Sequence, residues 1–173
     1  MSILAFCGSL RRSSMNAALL RATARLAPAG LTVEVFPGLA ALPLFNPDLE
    51  AEMPQPVRTM HAAVAACDAL LIASPEYAHG ITGVLKNALD WLVSFEGFID
   101  KRVAIFNASP HSLHADASLR EILTTMSAHI VPDACLALPL RGLHLTEQQM
   151  LDSQHAPAIR QALLTLAPQE ARS

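Results

Sequence analysis

The chain has 173 residues, a length that suits one domain with one core, and 52% of them are hydrophobic, which excludes a disordered protein. A formal net charge of −3 at pH 7 leaves no electrostatic footprint for nucleic acid or an anionic membrane surface, and none of the one-signed face a dedicated electron shuttle carries. Cys7, Cys67 and Cys135 lie far apart beside apolar runs and form no C-x-x-C, as expected of core thiols in a reducing cytoplasm.

In chain order, residues 3–7 form an apolar run that stops at Gly8. No basic segment precedes it and residues 8–12 interrupt it, so it reads as a buried strand and not a signal peptide. Residues 16–26 read as a helix, with Leu19, Thr23 and Leu26 on one face and Pro28 beyond its end. The run L-T-V-E-V-F at 31–36 reads as a second strand. Residues 37–56 make a long Pro-containing loop, a length that in compact domains points to function. A helix is expected over 57–66. Residues 68–73 then form a nearly continuous apolar run, as a central parallel strand covered on both faces requires. Helix over 83–93, a fourth strand over 101–107 and a fourth helix over 117–127 follow. Residues 130–138 contain a fifth, irregular strand, and 146–166 supply terminal helix that Pro157 interrupts or restarts. The tail 168–173 is expected to fray.

Strands alternating with helices imply βαβ units. The expectation is one domain over 1–173: a doubly wound α/β fold with a five-stranded parallel sheet in the order 2-1-3-4-5 and helices on both faces. No apolar run reaches the roughly 18 residues of a membrane helix, so no membrane partner and a cytoplasmic location are expected.

Two strand-to-helix turns carry the chemistry. The first is G-S-L-R-R-S-S-M-N at 8–16. Ser9, Ser13 and Ser14 offer hydroxyls, Arg11 and Arg12 offer charged forks, and the helix that follows offers unpaired N–H groups and its dipole to an anion. Asn16 can cap that helix or hold the loop. The turn reads as a phosphate cradle. Neither G-x-x-x-x-G-K nor G-x-G-x-x-G is present, which excludes a P-loop and the dinucleotide fingerprint. A phosphatase of the C-x5-R-[ST] kind is disfavoured. Counting from Cys7, Arg12 comes one position too early, and no Asp-Pro pair exists to supply the acid.

The second turn is S-P-E-Y-A-H-G-I-T-G-V-L-K-N-A-L-D-W at 74–91. Pro75 stops the strand, and Glu76, Tyr77, Ala78 and Gly80 form a turn that lets backbone approach a flat ligand. In a parallel sheet both turns open on the same edge, at the topological switch point where ligands sit. His111, His114 and Asp116 have a spacing a metal could use, but a solvated loop accounts for them and no metal is expected.

Together G-S-L-R-x-x-S-x-N and S-P-E-Y-x-x-x-I-x-G-x-L-K-N-A-x-D-W resemble the NAD(P)H-dependent FMN reductase family, which includes flavodoxin-like quinone, chromate and azo-dye reductases. L-P-L-F-N-P-D-L-E at 42–50 resembles that family's loop after its second strand, and the resemblance runs from residue 2 to about residue 139. It implies a flavodoxin-like fold and FMN as cofactor. It also implies NADPH or NADH as co-substrate and hydride passed through FMN, by a ping-pong route, to quinones, free flavin or similar small-molecule acceptors.

Carried over by position, Ser9, Arg11, Ser14, Met15 and Asn16 would line the phosphate and ribityl chain. Pro75, Glu76, Tyr77 and Ala78 would line the isoalloxazine, with Ser109 near its other side. No side chain is required as acid or base, so no catalytic residue is assigned. Lys86, Asn87 and Asp90 would hold the helix and a subunit contact, and a homodimer or homotetramer is implied. The chain departs from the family at Ala78, where Asn is usual, and in the glycine-free segment 107–116. Both imply weaker flavin binding, and the rival expectation is a degenerate flavodoxin-like binding protein with weak or no FMN.

Overall fold

The computed structural model describes residues 1–109, 111–140 and 146–167. Strands β1 (Ser2–Cys7), β2 (Thr32–Val35), β3 (Ala69–Ala73), β4 (Arg102–Asn107) and β5 (His129–Ile130) form a parallel sheet in the order β2-β1-β3-β4-β5. A two-residue strand β6 (Leu136–Ala137) pairs further along β4, at Phe106 and Asn107. The fifth strand is therefore split. Pro132 cannot donate to a ladder, and Pro132–Ala134 turns as a short 3-10 segment between the two pieces.

The helices are α1 (Met15–Leu26), α2 (Gln55–Ala66), α3 (Gly83–Asp90), α4 (Leu113–Thr125), α5 (Glu147–Leu151) and α6 (Ala156–Leu166). Alternation along the strands sorts the core into two layers, because successive side chains point to opposite faces. Ile3, Ala5, Ala69, Leu71, Ala104 and Phe106 pack beneath α1, α5 and α6. Leu4, Phe6, Leu70, Ile72, Val103 and Ile105 pack beneath α2, α3 and α4. Arg102 ties β4 to the end of α6 by donating to the Leu166 and Thr165 carbonyls at 2.9 and 3.2 Å, where a cation also suits the helix dipole.

Expected helix boundaries move at three places: α2 begins at Gln55 instead of 57, α3 ends at Asp90 instead of 93, and α4 is shifted toward the N-terminus. The fourth helix begins at Leu113, four residues before 117, and the loop ahead of it is correspondingly short. Pro157 restarts the terminal helix instead of interrupting it, standing in the first turn of α6. Residues 168–173, expected to fray, lie outside the described residues.

The long loop after β2 is held from α3. The Asn87 amide donates to the Pro43 carbonyl at 2.9 Å and accepts from the Phe45 N–H at 2.8 Å. The Trp91 indole N–H also reaches the Pro43 carbonyl, at 2.8 Å. Lys86 and Asp90 pair along α3.

Candidate functional site

The turns after β1 and β3 meet at the carboxyl edge of the sheet. The Gly8 N–H donates to the Ala73 carbonyl at 2.8 Å. A Cβ at Gly8 would lie 2.6 Å from Ser74 Cβ, so only glycine permits that approach. Above this seam opens a cavity of about 630 Å³, within the size range of small-molecule sites.

Nine of the sequence-selected residues line it: Ser9, Arg11, Ser14, Met15, Asn16, Pro75, Glu76, Tyr77 and Ser109. Ala78 does not. It stands exposed at the tip of a tight reverse turn in which Tyr77 and Gly80 exchange two backbone hydrogen bonds, at 3.1 and 3.0 Å. Both tip residues have left-handed backbones, φ 49° at Ala78 and 59° at His79. A two-residue turn of this hand requires positive φ at both positions, and that points the 78 side chain away from the cavity wall. The next residue, His79, lines the cavity in its place.

At the α1 end, Ser14 and not Asn16 caps the helix, accepting from the Ala17 N–H at 3.2 Å. The N–H groups of Met15 and Asn16 find no acceptor among the described residues. Asn16 is buried, yet its Oδ1 has no hydrogen-bond partner among the described residues. A buried acceptor without a donor is costly in isolation and marks a place for a ligand hydroxyl or N–H. With Ser9 and Ser13 hydroxyls and the Arg11 guanidinium around the same opening, the donor set suits an anionic phosphate followed by a hydroxylated chain. FMN has those two parts in that order, so the residues present fit it.

Cys7 sits beneath this turn with its thiol directed at the Ser9 carbonyl, at 3.4 Å. Burial pushes the thiol up from its ordinary value. A phosphatase nucleophile needs the opposite, a thiolate held at low pKa.

The opposite wall spends its polar atoms on structure. Glu76 Oε2 accepts from the Ala115 N–H at 2.8 Å, doing for α4 what a local cap does elsewhere, since the Ser112 side chain makes no capping bond. The Ser109 N–H donates to Asn107 Oδ1 at 2.9 Å, and the Asn107 amide donates to the Ser112 carbonyl at 3.4 Å. Asp116 is engaged by Arg120 at 2.7 Å.

The sequence does not single out Ser74, His79, Asn107, Ala108, Ser112 or Leu140 as cavity residues, whereas His111, expected to narrow the pocket, does line it. Asn107, at the end of a strand and before a short loop, carried a readable signal. The Glu76–Ala115 pairing, across 39 residues, carried none.

The family model described as NADPH-dependent FMN reductase matches residues 1–141. An NAD(P)H-dependent FMN reductase of Pseudomonas aeruginosa is 32% identical over 172 residues, covering 95% of this chain and 92% of that protein. A quinone reductase of Escherichia coli is 34% identical over 94 residues, about half of each chain (53% and 50%). Among solved structures, FerB, a flavoenzyme NAD(P)H:(acceptor) oxidoreductase from Paracoccus denitrificans, superposes with a TM-score of 0.78 over 95% of this chain and 96% of that one. At 22% identity it speaks to the fold alone.

Proposed function

The chain belongs to the NADPH-dependent FMN reductase family, and from that premise we propose that it is a flavin-dependent oxidoreductase that reduces quinones, free flavin or similar small acceptors at the expense of NADPH or NADH. The cavity at the sheet edge is its cofactor site. Ser9, Arg11, Ser14, Met15 and Asn16 hold the phosphate and ribityl chain. Pro75, Glu76, Tyr77 and Ser109 bound the ring. When bound, FMN supplies the redox chemistry, a hydride accepted from reduced nicotinamide and delivered to the acceptor.

The protein's own contribution is placement. The α1 N-terminus turns unpaired N–H groups toward the anion. The Glu76 carboxylate keeps the β3 turn and α4 in fixed relation, so the ring-side wall does not yield. The half-exposed Tyr77 ring leaves the mouth open to a flat co-substrate, and no side chain is needed as acid or base. An open mouth of this kind suits several acceptors. The surface around α3 and the loop after β2 is assigned to contact between copies in a homodimer or homotetramer. No helix among the described residues is long and apolar enough to cross a membrane, and cytoplasmic action is part of the same reading.

The observation that carries the proposal is the unpartnered Asn16 Oδ1 beside unpaired N–H groups in one cavity. The test is an absorbance spectrum of the purified protein, before and after FMN is added and the sample desalted. Flavin bands that survive desalting, bleach with NADPH and return with a quinone are expected. Protein that takes up no FMN even at equilibrium would sink the enzyme and leave a flavodoxin-like binding protein.

A further inference from the structure

We propose that His79, His111 and His114 form the docking point for the phosphate groups of the nicotinamide dinucleotide; this rests on the oxidoreductase reading above. His79 and His111 line the cavity. His114, in the first turn of α4, extends the rim by stacking on His79, with ring centroids 4.4 Å apart and planes inclined by only 13°. All three residues are exposed, and no described residue hydrogen-bonds to their ring nitrogens.

The carboxylates on the same two segments are engaged elsewhere: Glu76 on the Ala115 N–H and Asp116 on Arg120. The rim therefore offers imidazole N–H donors with no carboxylate competing for them, which suits an anion. Stacking holds two of the rings in one orientation, so less freedom is lost when a ligand engages them.

Position selects which anion. The cofactor phosphate is assigned to the α1 end, on the far side of the cavity from these loops. The histidines stand on the segments after β3 and β4, where the ring is assigned. A nicotinamide laid on that ring must carry its own phosphates out through the mouth, past this rim. A neutral quinone brings no such group.

The test compares two donors with one quinone: NADPH, and reduced nicotinamide riboside, which lacks phosphate. His79→Asn keeps a residue type that accepts a left-handed backbone, and His114→Gln removes the second ring. Each is assayed for kcat/KM with both donors and for retained flavin by absorbance. The ratio of kcat/KM for NADPH to that for the riboside is expected to fall roughly fivefold to tenfold per lost hydrogen bond. His111→Asn, outside the stack, gives an independent reading if the stack variants fail to fold.

Equal losses with both donors would overturn the inference and leave the stack as a prop for the cavity wall. An unchanged ratio, or a loss confined to kcat/KM for the quinone, would overturn it as well. Native protein that retains no flavin and oxidises neither donor would remove the oxidoreductase reading itself. Flavin retained with an insensitive ratio removes only the histidine site.

Discussion

The turn after β1 and the turn after β3 face each other across one cavity but dispose of their polar atoms in opposite ways. The first uses a single side chain, Ser14, to cap its helix and leaves serine hydroxyls, two backbone N–H groups and Asn16 Oδ1 without partners among the described residues. The second satisfies itself: a reciprocal backbone pair at Tyr77 and Gly80, and a carboxylate committed to α4. A turn that leaves donors open is suited to grip an ionic ligand. A turn that closes its own bonds is suited to present flat surface in a fixed place.

The largest effect should come from forcing the two turns apart. Gly8→Val puts side-chain atoms where Ser74 already stands. It should cost about 3 kcal/mol through overpacking, which lowers Tm by about 10 °C in a protein of this size, and it should abolish FMN retention. Calorimetry and a flavin titration read both.

Next, Glu76→Ala removes the acceptor of the Ala115 N–H. It should cost about 2 kcal/mol, as expected for a hydrogen bond to a charged group. Loss of stability comparable to a surface substitution would show that the second turn does not depend on this brace.

Asn16→Ala should separate binding from stability. Because Oδ1 has no partner among the described residues, Tm without flavin should hold steady or rise, while FMN affinity falls about fivefold to tenfold. A fall in Tm without flavin, measured by the same scan, would mean that the first turn is not an open set of groups.

The smallest effect belongs to the tip of the second turn. Ala78→Asn places there a residue that tolerates positive φ, and should stabilise by about 0.5–1 kcal/mol, or about 2 °C in Tm. Cavity binding should barely change, since the 78 side chain points away.

Strands β1, β3 and β4 were legible because each holds a buried apolar run, and burial on both faces leaves such runs few alternatives, whereas the edge strand β2 shows as the alternating Thr-Val-Glu-Val of a half-exposed strand. The first turn was legible for a related reason: Ser9, Arg11, Ser13 and Ser14 line the cavity where they stand in the chain, next to the helix that follows. What could not be read depended on distant partners or on backbone hand. The sequence points to too late a start for α4 because its N-terminus is satisfied by Glu76, far back in the chain, instead of by a neighbouring Ser or Asp. Position 78 reads as part of the ring wall because nothing in Ala-His announces a left-handed turn. Asn-Gly would have announced it, and with that hand fixed, His79 would have been chosen.

The two-layer core has a bearing on how the polypeptide emerges during synthesis. Helices α2, α3 and α4 are all made before α5 and α6, so one face of the sheet can be sealed early while the other has only α1 to cover it. Domains generally fold as units during synthesis. Phe106, on the β4 strand that α6 packs against, is then the core residue of this face that waits for α6 to be covered. The Arg102 guanidinium then ties the end of α6 to β4 through the Leu166 and Thr165 carbonyls.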